Sequence, residues 1–426
     1  MAARQWLGGL LVVVACAVGL AAQGEPGRPA HPGRPVATVV QAVPPPDRLA
    51  IARGAARQRP DDPVAWAEVG RAAVESARIT LDPAELALAE QALAHSSTLR
   101  PVANYEEAVG AGMLANARHE YAAARDHGLR AVAMAPDRAA AYAVLAEART
   151  ELGDYPAATE AVRRLLDLAP NAAALVLAAR DLETHGRRAE AVSALERALE
   201  AAGPAGERAN CARRLGDLAW EDGEFTRAEA SYRQALAARP DDPYAAFGLA
   251  RTAAAQGRPD EALRRLAELT ARTPQPEFLL EQAELLLATG HRTEAGTPLA
   301  ALAAEARLSV GPVDLHLARY LADHGDPAEA VRLLTEEWER RRSAPVAAGL
   351  AWALHRVGDD RQALQLAVAA AEPGGEPVMA AYHRGVIEHA LGLPEAAATL
   401  RAVLGRDAGF SVFHADVARR LLGEGE

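Results

Sequence analysis

Lysine is absent from this sequence: all 46 basic residues are arginine, set against 57 aspartates and glutamates, for a net charge of −11. An acidic chain has no basic stripe with which to displace counterions from a phosphate backbone, so no nucleic-acid partner is expected. The all-arginine usage reads as base composition rather than function. Cysteine is nearly absent. Of the two, Cys16 lies in an N-terminal apolar run and Cys211 stands alone, which excludes a disulfide framework within one chain. The signatures of catalysis are missing as well: there is no GxGxxG, no P-loop, no GxSxG, no HExxH and no CxxC pair. Acidic pairs such as Asp61-Asp62, Asp241-Asp242 and Asp359-Asp360 fall where helices begin, where carboxylates serve free amides and the helix dipole. Cys211 sits at a helix start as a structural thiol. No enzyme and no cofactor are expected.

What remains is a chain of 426 residues, half of them hydrophobic and 4% aromatic, which fits either a few ordinary domains or one long repeat array. Residues 1–22 carry one basic residue, Arg4, then an uncharged stretch from Trp6 to Ala22. This reads as an export signal. The run is also at the lower limit of a membrane span, which keeps an uncleaved anchor open. Val13-Val14-Ala15-Cys16 resembles a bacterial lipobox, although the residues after Cys16 stay apolar. All three readings place the body outside the cytoplasm, secreted or membrane-anchored. Residues 23–47 hold Pro26, Pro29, Pro32, Pro35 and the run Pro44-Pro45-Pro46, the composition of an extended tether.

From residue 48 onward a helical period takes over. Glycines recur at 153, 186, 223, 257, 290, 325, 358 and 392, spaced by 33 to 37 residues. Five residues after each lies an alanine, from Ala158 to Ala397, and seven before each lies alanine or glycine, from Ala146 to Gly385. Two antiparallel helices approach closely only where small side chains cross, and glycine accepts the positive φ that ends the first helix. Leucines such as Leu145, Leu215, Leu249, Leu317 and Leu350 stand one residue before the small position. A hairpin of this kind buries its apolar faces only by stacking on neighbours.

Leu215-Gly216, Gly223, Phe225, Ala228, Tyr232, Ala235 and Pro240, with Trp66 and Gly70 in the first unit, resemble the tetratricopeptide repeat family. The stretches LANARHEYAAARDHGLRA and YHRGVIEHALG further resemble exported repeat proteins of high-GC Gram-positive bacteria. The family resemblance covers residues 48–408. It implies an all-α, right-handed superhelical solenoid of about ten antiparallel helix pairs, and residues 409–426 are expected as a capping helix and tail. Departures are expected in three places: His119 replaces a turn glycine, Ser76 to Pro83 inserts into the first repeat, and a loop runs from Gly203 to Glu207.

In this family the first helix of each pair lines a concave groove, at positions roughly 13, 10, 6 and 3 residues before the turn glycine. That register implies a groove formed by Arg213, Asp217, Trp220, Phe247, Arg251, Arg319, Trp352, His355 with the adjoining Arg356, Tyr382 and His389. Aromatics and arginines on one surface suit a protein or peptide partner, whose carboxylates guanidinium forks hold. The competing role for the aromatics is packing between hairpins, and for single arginines it is solvation. The expected function is a non-catalytic protein- or peptide-binding scaffold of the envelope or secreted space. The alternative is a zinc or nickel protein built on the C-terminal histidines His316, His324, His355, His383, His389 and His414.

Overall fold

The computed structural model describes residues 48–308 and 311–424, so the leader, the tether and Cys16 lie outside the described residues. Within the described residues there are twenty-two helices and no strand. None of these helices is long and apolar enough to cross a membrane. Helix α1 (Arg48–Gln58) precedes ten hairpins. The first five pair α2 (Pro63–Thr80) with α3 (Pro83–Leu99), α4 (Tyr105–Ala117) with α5 (Tyr121–Met134), α6 (Ala139–Leu152) with α7 (Tyr155–Leu168), α8 (Ala172–Thr184) with α9 (Arg188–Ala201), and α10 (Ala205–Glu221) with α11 (Phe225–Ala238). The second five pair α12 (Pro243–Ala255) with α13 (Pro259–Arg272), α14 (Pro276–Ala288) with α15 (Arg292–Leu308), α16 (Leu315–His324) with α17 (Pro327–Arg340), α18 (Ala344–Arg356) with α19 (Asp360–Ala371), and α20 (Val378–Ala390) with α21 (Ala396–Arg406). A short α22 (Ala415–Leu421) follows.

The small positions do what close crossing demands. Ala158, Ala191, Ala228, Ala262, Ala295, Ala330 and Ala363 are fully buried, and Ala397 is half-buried. A Cβ on Gly216 would stand 2.7 Å from the Tyr232 ring, and one on Gly385 would stand 2.8 Å from Leu400. Such contacts leave no room even for a methyl group. Seven of the eight turn glycines take positive φ, and His119 takes φ of 61° in their place, stacked on Tyr121.

Gly325 differs, with φ −118° and ψ −133°. The residue that follows, Asp326, precedes Pro327, which restricts it to extended backbone, and its carboxylate caps the Ala328 amide. That turn is therefore closed by the cap of α17 and needs no left-handed residue. The insertion expected near residue 76 is absorbed as helix: α2 runs on to Thr80 and ends at Leu81 with φ 58°. The break before α10 is confined to residues 202–204 because Ala205 already begins the helix. At the C-terminus only residues 415–421 are helical, and residues 407–414 run as turns.

The solenoid closes on itself. Three successive hairpin turns dock on the segments that follow the eighth, ninth and tenth hairpins. At the α6–α7 turn, Arg341 pairs with Glu151 at 2.7 Å, and the Ala344 amide donates to Tyr155 Oη at 2.7 Å. At the α8–α9 turn, the Gly375 amide donates to the Thr184 carbonyl at 2.9 Å. At the α10–α11 turn, Arg406 donates to the Glu221 carbonyl at 3.2 Å and pairs with its carboxylate at 3.1 Å. A Cβ on Gly153 would lie 2.1 Å from the Arg342 carbonyl oxygen, and one on Gly186 would lie 2.4 Å from that of Gly374. The turn glycines thus serve twice, once for φ and once for this approach.

Candidate functional site: the closed groove

Closure converts the concave face of the third to sixth hairpins into a cleft of about 730 Å³. Its floor comes from α6, α8, α10 and α12, and its opposite wall from α18, α20, α21 and the loop at 373–377. The floor carries a ladder of paired charges. Arg180 and Arg341 both hold Glu151, Arg214 holds Glu183 at 2.7 Å, and Arg213 holds Asp217 at 2.7 Å. Tyr232 donates to the other oxygen of Asp217 at 3.0 Å. On the opposite wall, Arg384 pairs with Glu376 at 2.9 Å.

Arg251 is the cleft guanidinium that no carboxylate of the ladder pairs with, and it meets Tyr232 instead. It lies over Trp220 at 4.1 Å and over Phe247 at 4.8 Å, and its buried Nε has no hydrogen-bond partner. Burial opposes its charge, but Tyr232, Glu277, Glu281 and Asp217 outweigh that and raise its pKa. Burial also pushes the Tyr244 hydroxyl up to about 12, so this ring stays neutral beside Arg213, whose guanidinium sits 5.6 Å above it. The cleft therefore offers aromatic faces next to fixed guanidinium groups, the combination that grips an extended chain carrying a carboxylate.

The other half of the groove is filled from within. Residues 409–414 cross the concave side of the sixth to tenth hairpins. Gly409 rests against Ala255, and Val412 packs on the cluster that contains Phe247 and Phe278. Phe413 meets His324 at 5.4 Å, Phe410 meets Tyr382 at 5.2 Å, and His414 meets Trp352 at 6.3 Å.

The eleven residues singled out from the register consequently fall into three groups. Arg213, Asp217, Phe247 and Arg251 line the open cleft, with Trp220 buried beneath Arg251. Arg319, Trp352 and Tyr382 lie around the chain's own C-terminal segment: Arg319 pairs with Glu284 at 3.0 Å, Trp352 Nε1 donates to Asp323 at 2.9 Å, and Tyr382 is 1% exposed. His355, Arg356 and His389 sit at the ends of their helices. His355 pairs with Asp360 at 2.6 Å, Arg356 donates to the Ala322 carbonyl, and His389 is exposed. Residues of the opposite wall, such as Arg384, Glu376 and Arg406, escaped the sequence reading. Arg406 has no local mark, because its partner on the floor, Glu221, is 185 residues away, while Arg384 and Glu376 pair with each other and reach the cleft only through closure.

Models of the tetratricopeptide repeat match residues 176–243 and 219–285. Residues 176–285 are thus tetratricopeptide repeats. No curated protein sequence is significantly similar to this chain. Among solved structures, the human IFIT1 dimer with m7Gppp-AAAA aligns over 84% of this chain and 85% of its own, at 15% identity and a TM-score of 0.48. Yeast Tom70 aligns over 87% of this chain and 88% of its own, at 14% identity and a TM-score of 0.44. PilW, a type IV pilus biogenesis factor, aligns over 51% of this chain and 98% of its own, at 24% identity and a TM-score of 0.42.

Proposed function

We propose that this protein is a non-catalytic scaffold that binds an extended segment of another protein in the closed cleft, outside the cytoplasm. The observation that carries the reading is the cleft itself: about 730 Å³ in which the guanidiniums of Arg251, with its unpartnered Nε, and of Arg213 stand beside Phe247 and Tyr244. Repeat scaffolds hold partners through such surfaces rather than through bond-making groups. An acidic side chain or a terminal carboxylate of the ligand would take the guanidiniums, and apolar side chains would lie on the rings. The extracytoplasmic setting rests on the leader alone. It predicts that the mature protein begins near residue 23 or keeps the leader in a membrane, which the mass of the protein recovered from the envelope and the medium distinguishes.

The binding test is selection of displayed peptides on the chain from Gln23 onward, followed by affinity measurement against Arg213→Ala. Arg213 is only partly buried, and Asp217 keeps Arg214 and Tyr232 as partners, so this variant retains the fold. Selected peptides should share an acidic position and lose about tenfold or more in affinity. Peptides with no acidic position, or peptides bound equally by the variant, would overturn the reading.

A further inference from the structure

Where the C-terminal segment crosses α14 and α16, three buried side chains from three parts of the chain point at one another. Glu284 of α14, Asp323 of α16 and His414 each bring a ligand-type atom to within 4.8 Å of the others. Their side chains are 3%, 4% and 4% exposed. Two of these atoms have no hydrogen-bond partner, Asp323 Oδ2 and His414 Nε2, and they stand 3.9 Å apart. That separation is too long for a hydrogen bond. It approaches the distance of about 3.3 Å between neighbouring ligands around a tetrahedral ion with bonds of about 2.0 Å.

The surroundings are those of a held ligand set. Trp352 Nε1 donates to Asp323 Oδ1 at 2.9 Å, which leaves Oδ2 aimed inward. Arg319 donates to Glu284 Oε2 at 3.0 Å. Outer donors that fix the orientation of ligating carboxylates are the usual companions of a metal site.

Other charged and titratable groups face the set. The neighbourhood holds four carboxylates, Glu277, Glu281, Glu284 and Asp323. Against them stand Arg251, Arg319 and, 3.8 Å from Asp323, the partly exposed Arg356. His324 faces Glu284 at 3.5 Å, and His383 lies near His414 with its Nε2 unpartnered.

We propose that Glu284, Asp323 and His414 bind one divalent transition-metal ion of the zinc type, which pins the C-terminal segment into the groove. One imidazole with two carboxylates suits zinc better than calcium or magnesium, which favour all-oxygen sets, and the lack of a thiolate disfavours copper(I). The site is assembled only when the segment is seated, since His414 alone comes from it. Bound metal and seated segment therefore stabilise one another.

The test uses the chain from Gln23 onward, freed of metal by chelator and titrated with zinc by calorimetry. One equivalent should bind, and zinc should slow tryptic cleavage after Arg419 and Arg420. Asp323→Asn keeps the shape and an oxygen for Trp352, and with His414→Gln it should weaken zinc by about 100-fold or more. Both variants are compared at matched helical circular dichroism. His316→Gln with His389→Gln, on exposed helix ends, should bind as the parent does. Failure of the folded parent to take up zinc would overturn the proposal, as would unchanged uptake by Asp323→Asn or loss of uptake in the His316 and His389 double variant.

Discussion

The groove of the third to sixth hairpins and that of the sixth to tenth are built from the same repeat and end in opposite states. In the first, floor and wall meet only at the turns, and a cleft lined by paired charges stays open. In the second, residues 409–414 fill the concave side, and the aromatic residues that the repeat places there become core. A concave solenoid surface is thus not in itself a binding site: what counts is whether the chain has already covered it. The open half pairs most of its ladder internally, as Arg214 with Glu183, and leaves Arg251 Nε unpartnered. The filled half leaves Asp323, His383 and His414 unsatisfied.

Several changes break or sharpen this contrast. The largest effect is expected at the docking turns. Gly153→Val and Gly186→Val each force a side chain into the backbone of a later loop while demanding positive φ of a β-branched residue. Each should destabilise the closed form by about 3 kcal/mol or more and expand the molecule, as measured by denaturant unfolding and small-angle scattering. An open superhelix with unchanged dimensions in both variants would contradict the closure.

Next is the filled half. Truncation after Arg406 removes the segment that covers Tyr382, Trp352 and Phe247, and should expose aromatic surface to a hydrophobic dye while leaving the helical signal of the hairpins largely intact.

A smaller effect is expected with pH. Asp407 begins the inserted segment, and burial together with Glu221 pushes its carboxyl up to about 6, against the Gly409 amide, which lowers it. Its native pKa lies above the unfolded value of about 3.8, so the stability it lends is whole below that value and is lost as pH rises through 6. The parent should therefore lose on the order of 1–2 kcal/mol between pH 4 and pH 7 that Asp407→Asn does not lose, read from thermal midpoints across that range. The smallest is Arg227→Ala, which removes two exposed ion pairs with Glu196 and Glu224 on α11, far from either half of the groove. It should change stability by less than about 1 kcal/mol.

The repeat itself was legible because its constraints are local. A glycine at the turn, a small residue seven before it and another five after are all decided within one hairpin, and burial of Ala158 through Ala363 follows directly. Even the exception at Gly325 has its cause in the next two residues. The closure was not legible. It joins Glu151 to Arg341 and Glu221 to Arg406 across 190 and 185 residues. No periodicity encodes that pairing, because it depends on the summed rotation of five hairpins. The same accumulated geometry decides that Trp352 and Tyr382 are covered while Phe247 keeps a face on the cleft. The capping helix expected within 409–426 begins only at Ala415. Ser411 accepting from the amides of Phe413 and His414 instead builds a turn that delivers His414 into the groove before α22 begins.

The most direct measurement is amide hydrogen exchange at Ala344 and Gly375. Both amides sit at loop or helix-start positions that an open solenoid leaves to water, and both donate across the closure, to Tyr155 Oη and to the Thr184 carbonyl. The account predicts that they exchange as slowly as the interior of α18, and that Gly186→Val releases Gly375. Exchange of both at the rate of a solvent-exposed loop in the parent protein would contradict it.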